Sequence, residues 1–228
     1  MNEHDWFFCR EPTPMIQFLV QRSTNERKLR LLACACCRQV WHLLSDPHSR
    51  RAVETAERYA DGMASSLELA RARAEALNAA GSGERQAAWA AYWAANTKAG
   101  GPLWNSFAAA AGALVRQNTA SVGYNHAAVW DAQQVVGNRD QVALIHEIIG
   151  NPFHPPQPRC EWLTWANGTI PAMAKAIHHD RAFEQMPILA DALEEAGCDD
   201  SLWLNHCREP QTHHVPGCWL LDALAGWS

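Results

Sequence analysis

Apolar residues recur every three or four positions along most of the chain, and glycines or prolines separate the periodic segments. This spacing places the apolar side chains on one face of an α-helix, and no alternating run is long enough to predict a β-strand. Pairs typical of helix starts recur too, such as Thr13-Pro14 and Asp46-Pro47, where a capping side chain precedes proline. The pattern predicts helices over residues 15–22, 24–44, 47–61, 65–80, 84–99, 103–120 and 125–149, the last interrupted near 137–138.

The segment from Gly150 to Pro158 breaks this series, because it holds four prolines in nine residues. Each proline lacks an amide donor and restricts the residue before it, so no helix continues through the segment. Shorter helices are predicted beyond it, over residues 170–181, 187–196, 201–207 and 218–225. We therefore predict an all-α protein, a bundle-like array of about 9–11 helices. Its regions are an N-terminal helical region (1–149), a Pro-rich loop (150–160) and a C-terminal helical subregion (161–228), expected to form one integrated domain.

Composition agrees with closely packed helices. Among 228 residues there are 39 alanines, and 11 of the 20 aromatic residues are tryptophan. Alanine is the best helix former, and a β-sandwich, a disordered chain and a collagen-like chain are excluded on the same grounds. No apolar stretch is long enough for a membrane helix, and the first residues lack the basic start of a secretory signal. We expect a soluble cytoplasmic protein with reduced cysteines.

The net charge of −5 is unevenly distributed. Residues 1–51 carry 8 Lys/Arg against 5 Asp/Glu, whereas residues 180–228 carry 2 against 9. Nucleic-acid binding usually shows a stronger basic stripe than the first segment offers. We predict no nucleic-acid partner and no membrane partner.

Common catalytic signatures are missing from the sequence. It contains no Gly-x-x-x-x-Gly-Lys phosphate loop and no Gly-x-Ser-x-Gly nucleophile turn. His146-Glu147 begins like a zinc-protease helix, but the second histidine of that motif is absent, so we interpret His146 as an interfacial or surface residue. The cysteines at 34, 36 and 37 point in different directions around one predicted helix and cannot all reach one metal ion.

The C-terminal subregion holds the richest set of metal-binding residue types, within 21 residues. Thiolate and imidazole are the ligands of tetrahedral zinc, and short loops between small helices could bring them together. The candidate zinc ligands, four of them at most, are Cys198, His206, Cys207, His214 and Cys218. One alternative is that the cysteines pack in the core while the histidines line a loop. Another is a nucleophilic pair such as Cys207 with His214.

Three stretches of the chain also carry a family resemblance. They are Pro12–Met15 with Arg27–Arg38 (RKLRLLACACCR), Ala91–Lys98 (AYWAANTK), and Gly150–Phe153 with Pro187–Cys198 (PILADALEEAGC) and Gly217–Trp219. Together they resemble a family of uncharacterised proteins that is abundant, with many paralogues, in planctomycete bacteria. The resemblance implies an intracellular bacterial protein that is one evolutionary unit. It implies no activity and carries over no functional residue.

These observations lead to three functional hypotheses. The first is a non-enzymatic helical interaction module that binds a protein partner or its own copy, because no catalytic signature is present while apolar, Trp-rich helical faces are. The second is a helical protein with a structural zinc ion; we predict no cofactor under the first hypothesis, and zinc is the alternative. The third is an enzyme of unrecognised chemistry, since catalytic residues need not be close in sequence.

Overall fold

The computed structural model describes residues 1–22, 24–81, 86–96, 98, 105–106, 108–110, 112–113, 126–209 and 213–227. The chain divides into two compact units, Met1–Ile145 and His146–Ser228. The division lies just before the predicted Pro-rich loop. The predicted helix over 103–120 falls mostly outside the described residues.

The N-terminal unit is built from helices joined by short turns. They are α1 (Glu3–Phe8), α2 (Pro12–Gln21), α3 (Glu26–Gln39), α4 (Pro47–Ala60), α5 (Ser66–Gly81), α6 (Gln86–Ala94) and most of α7 (His126–Ile149), with a 3-10 turn at Trp41–Leu43. Helix α3 packs against α4 and α6, and α4 also packs against α5 and α6. The core of this unit therefore lies around α3 and α4.

Capping explains where several of these helices begin. The Asp46 carboxylate accepts hydrogen bonds from the amides of His48 and Ser49, as the Asp46-Pro47 pair predicted. The start predicted for the helix over 15–22 was wrong by three residues, since α2 begins at Pro12. Proline at the first helical position needs no amide partner, and Pro12 fills that position as well as Pro14 would.

Helix α3 differs from its prediction in both length and burial. It ends at Gln39 instead of residue 44, and the chain turns into the 3-10 segment after Val40. Every residue from Leu29 to Cys37 is buried, although only one face of the helix was expected to be. A helix that is buried on all sides lies inside a unit rather than on its surface. The three cysteines of α3 are consequently all in the interior.

The C-terminal unit contains the end of α7 and a set of short helices. These are α8 (Cys160–Thr164), α9 (Thr169–Asp180), α10 (Met186–Glu195), α11 (Ser201–Arg208) and α12 (Trp219–Ala225), with 3-10 turns at Trp165–Asn167 and Phe183–Gln185. Helix α9 packs against α8, α10 and α12, and α10 packs against α11. Trp162, Ile177, Leu193 and Trp203 are among the buried residues of its core.

The prediction of an all-α protein is confirmed, since the described residues form helices and contain no strand. Helix α7 runs without the interruption predicted near 137–138. Among the helices in the described ranges, none combines the length and the apolar character that crossing a membrane requires.

Candidate metal centre

Four side chains of the C-terminal unit bring a carboxylate, two imidazoles and a thiol to one place. They belong to Glu147, His206, His214 and Cys218, and one ligand atom of each lies within 4.8 Å of the other three. Glu147 is in the last turn of α7 and His206 is on α11, while His214 and Cys218 lie in the segment that leads into α12. Oxygen, nitrogen and sulfur donors of these types are the usual protein ligands of transition metals.

The end of α7 places Glu147. Gly150 ends the helix with a left-handed φ of +69°, and its N–H donates to the His146 carbonyl at 2.9 Å. A Cβ atom at position 150 would lie 3.0 Å from Cγ of Trp219, closer than real Cβ contacts normally come. A residue without a side chain therefore lets the end of α7 approach Trp219, the neighbour of Cys218 in the sequence.

A tight turn places Cys218. The Cys218 N–H donates to the Val215 carbonyl at 3.0 Å, and Gly217 has a φ of +90°. Proline at the second position and a left-handed glycine at the third are the features of a type II turn, and Pro216-Gly217 supplies both. The turn delivers Cys218 to the N-cap position of α12.

The donor atoms face one another across short distances. Nε2 of His206 lies 3.3 Å from Sγ of Cys218 and 3.4 Å from Oε2 of Glu147. The other carboxylate oxygen, Oε1, lies 3.0 Å from Nδ1 of His214. The same imidazole nitrogen thus faces both the thiol and the carboxylate. A catalytic relay would use the two ring nitrogens of one histidine for its two partners, so these atoms converge on a point instead of forming a relay.

The four groups are withdrawn from solvent. Cys218 is fully buried and Glu147 is 5% exposed, while the His206 and His214 side chains are 13% and 6% exposed. Burial, and secondarily the Glu147 carboxylate, raises the pKa of the Cys218 thiol well above its ordinary value. Burial lowers the pKa of His206, and the Glu147 charge opposes this shift. The neutral imidazole favoured by burial keeps a free lone pair, which a metal ligand requires.

Aromatic rings lie beside the two imidazoles of the site. The Trp219 ring lies 4.7 Å from that of His206, between ring centres, and Phe183 lies 6.5 Å from His214. Behind Trp219, Trp203 and then Trp162 follow with centroid distances of 5.3 Å each. An apolar wall of this kind excludes water and strengthens interactions between charges inside it.

The structure brings together three of the five residues singled out from the sequence. His206, His214 and Cys218 belong to the group, and Cys198 and Cys207 do not. Both of those cysteines are buried in the hydrophobic core of the C-terminal unit. The Cys207 thiol has its pKa raised to about 12, mainly by burial, and burial also raises the pKa of Cys198.

Helix geometry explains why neighbours in the sequence are separated in space. Side chains of consecutive residues project about 100° apart around an α-helix. On α11, His206 turns to Glu147 and Cys218, while Cys207 turns to the core. Cys198 lies after α10, where its N–H donates to the Leu193 carbonyl at 2.8 Å.

Glu147 was missed because it lies 59 positions before His206. One signal was available in the sequence. Glu147 stands between Ile145 and Ile148, which are both buried. The stretch 142–149 is apolar except for His146 and Glu147, and an acidic residue in such a stretch needs a polar partner in the fold, which could have marked it.

Comparison with known proteins adds no relative. No protein-family model matches the chain, and no curated protein or solved structure matches it. The fold class and the geometry of the site are therefore the observations from which its function is inferred.

Proposed function

We propose that this protein binds one divalent transition-metal ion in its C-terminal unit, through Glu147, His206, His214 and Cys218. The observation that carries the proposal is the convergence of four ligand atoms within 4.8 Å. They come from three separate parts of the chain, the end of α7, helix α11 and the segment before α12. Chain proximity alone does not bring such groups together.

The burial of the site supports the same function. Removing a carboxylate, two imidazoles and a thiol from water is unfavourable unless each finds a partner. The four groups contact one another in the structure, and a metal ion would give all of them one common partner. Metals bind the deprotonated forms of such ligands, so metal binding at this site would release protons.

A cysteine nucleophile is less well supported. The thiol that faces a histidine is Cys218, not Cys207, and its partner is His206. A nucleophilic cysteine needs a lowered pKa and access for its substrate. Cys218 is fully buried and its pKa is raised, so the pair lacks both properties.

Metal content of the purified protein tests the proposal. We expect about one equivalent of metal per chain after reconstitution, removable by a strong chelator. Cys218→Ser and His214→Ala should lose this equivalent. Their matched controls are Cys207→Ser, a buried cysteine on α11, and His213→Ala, the exposed neighbour of His214, and both should retain it. A wild-type protein that takes up no metal, or equal retention in Cys218→Ser, would refute the proposal.

An interaction module remains a second candidate function, on a different observation. Helix α1 exposes two large aromatic side chains, Phe7 at 53% and Phe8 at 71%, and Val20 on α2 is also exposed. Contiguous exposed apolar surface is typical of sites that bind a protein partner or a second copy, and Phe7 and Phe8 are adjacent residues. Sedimentation equilibrium of the wild type and of Phe8→Ser tests self-association. A monomer at every concentration would contradict it.

A location in the bacterial cytoplasm fits the state of the cysteines. All eight are free thiols, and one of them, Cys218, is a proposed ligand. A reducing compartment keeps such thiols available for metal. We retain this location, and the relationship to the planctomycete family, as proposals.

A further inference from the structure

We infer that the ion is Zn²⁺ in a closed shell of four protein ligands, with Glu147 as the fourth ligand, and that it serves to hold the C-terminal unit together. This inference rests on the proposed metal binding. It competes with a specific alternative, in which His206, His214 and Cys218 alone hold the metal. In that case a water molecule occupies the fourth position and Glu147 acts on it as a general base.

The donor set favours zinc among divalent metals. One sulfur, two imidazole nitrogens and one carboxylate oxygen form a mixed soft and borderline set, whereas Mg²⁺ and Ca²⁺ select oxygen ligands. The thiolate of Cys218 and the carboxylate of Glu147 together carry two negative charges. A divalent ion would leave the site without net charge, which is the state that a buried site accommodates at the lowest cost.

The distances favour Glu147 as a ligand. In a tetrahedral zinc site with bonds of about 2.0–2.3 Å, neighbouring ligand atoms lie about 3.3–3.8 Å apart. The separation between Nε2 of His206 and Sγ of Cys218 is 3.3 Å, and that from the same nitrogen to Oε2 of Glu147 is 3.4 Å. The carboxylate is therefore as close to His206 as the thiol is. All four ligand atoms lie within 4.8 Å of one another, so Glu147 belongs to the same cluster as the other three donors.

The surroundings favour a closed site. A catalytic metal keeps a position open to water or substrate, whereas a structural metal does not. The Glu147 carboxylate spans both histidines, with one oxygen toward each. Trp219 and Phe183 cover the imidazoles from the side, and Cys218 has no contact with solvent. Among the described residues, these contacts leave Cys218 and Glu147 with little or no exposure to solvent.

The connectivity gives the ion its structural role. Helix α12 packs mainly on α9, and α11 packs mainly on α10. A metal shared by His206 of α11 and Cys218 at the start of α12 would join these two pairs, and Glu147 would add the end of α7. Cross-links between segments distant in sequence stabilise a small unit more than local contacts do.

Cobalt substitution in the full-length protein tests the closed shell. Co²⁺ replaces Zn²⁺ with little change in geometry, and its visible absorption distinguishes four from more ligands. We expect a four-coordinate spectrum with a sulfur-to-cobalt charge-transfer band, and no change when azide is added. Glu147→Ala should open one position, so that azide then alters the spectrum.

Affinity provides a second measurement in case Glu147→Ala fails to fold. Glu147→Gln preserves the shape of the side chain and removes its charge, and we expect zinc binding to weaken by about tenfold or more in competition with a chromophoric chelator. Glu161→Gln, at an exposed glutamate of the same unit, is the matched control and should bind zinc as the wild type does.

The outcomes separate this inference from the proposed function. A wild-type cobalt spectrum that responds to azide, or unchanged zinc affinity in Glu147→Gln, would overturn the closed shell while metal binding stands. A site that takes copper or iron in preference to zinc when the metals compete would overturn the identity of the ion. If neither Co²⁺ nor Zn²⁺ binds, the proposed function itself fails.

Discussion

The two units bury equal numbers of cysteines, but the residues that surround those cysteines differ. In the N-terminal unit, Cys34, Cys36 and Cys37 lie within one turn of α3. In the C-terminal unit, Cys198, Cys207 and Cys218 are distributed over 21 residues. Burial raises the pKa of all six thiols. Only for Cys218, within the described residues, do imidazole and carboxylate groups gather around the sulfur.

This difference shows that a buried thiol is not in itself a sign of chemistry. A cysteine in an apolar interior behaves as a small hydrophobic residue, as the three on α3 do. The Cys34-Ala35-Cys36-Cys37 cluster is denser in sequence than any part of the C-terminal set. What distinguishes a site is the convergence of different donors, which depends on tertiary structure.

The largest expected effect is metal removal, which should destabilise one unit and leave the other unchanged. Loss of a structural zinc ion costs on the order of several kcal/mol, because the binding free energy contributes directly to folding. In hydrogen exchange, the amides of α11 and α12 should lose protection after chelation, while those of α3 and α4 should not. The comparison requires the same treatment of Cys218→Ser, in which the chelator should have no further effect. Equal loss of protection in both units would contradict the prediction that the metal stabilises only the C-terminal unit.

Alkaline pH should destabilise the N-terminal unit through its thiols. The pKa of each α3 cysteine lies well above 9.0 in the folded state, first because of burial. Unfolding brings the thiols back to that ordinary value, so above pH 9 the unfolded state releases protons that the folded state retains. The stability is complete below pH 9 and falls above it, by about 1.4 kcal/mol per thiol for each further pH unit.

Urea unfolding between pH 8 and pH 10 measures this dependence. The matched variant is Cys36→Ala, which removes one of the three thiols from the unit. Its free energy of unfolding should fall less steeply with pH than that of the wild type. Identical slopes would show that Cys36 is ionised to the same extent in both states.

An ion pair in the N-terminal unit should matter for stability alone. The Arg38 guanidinium donates to both carboxylate oxygens of Glu57, at 2.9 and 2.7 Å, and lies 3.9 Å above the Trp41 ring. Arg38→Ala leaves the Glu57 carboxylate in a buried position, and we expect a loss on the order of 3 kcal/mol. The control is Arg51→Ala, which removes an exposed ion pair with Glu75 and should cost less than about 1 kcal/mol. Similar costs for the two variants in urea unfolding would contradict the prediction, and neither should change metal content.

The smallest expected effect is that of Gly150→Ala, which distinguishes the cost of backbone strain from a change in the geometry of the site. Gly150→Ala should cost about 1–2 kcal/mol, because alanine adopts a positive φ with difficulty. It should also weaken metal binding, since its Cβ would displace Trp219 beside Cys218. Gly197→Ala shares the positive φ but meets nothing within 4 Å, so it should lose stability and bind metal normally. Titrations of both variants with zinc make the comparison, and equal affinities would show that the contact at position 150 is unimportant.

Much of the helical architecture could be predicted from the sequence, because local signals determine it. Helices α9 to α12 begin and end within one residue of their predicted limits. The Asp200 carboxylate caps α11 by accepting from the Leu202 amide, as an acidic residue before a helix suggests. The predicted end of α3 was wrong. The helix ends where the chain packs around Val40, and the sequence carries no cap signal at that residue.

The candidate site could be predicted only in part, because tertiary packing decides which of the candidate residues come together. Residue type and proximity in sequence marked His206, His214 and Cys218, but they marked Cys207 equally. The rotation of α11 decides between Cys207 and His206, and this rotation depends on the packing of the whole unit. Glu147 could not be found from residue spacing, because the sequence separation between α7 and α12 does not indicate that the fold brings them together.

The adjacency of His206 and Cys207 on α11 has a consequence for metal choice. Both residues are competent donors, so the rotation of the helix selects between nitrogen and sulfur. A turn of one residue would exchange an imidazole for a second thiolate in the site, and would push an imidazole into the tryptophan-lined interior. Because Trp203 and Cys207 are both buried in the core, that exchange is unfavourable. The packing of the hydrophobic core around Trp203 and Cys207 thus selects which donor atom α11 presents to the proposed site.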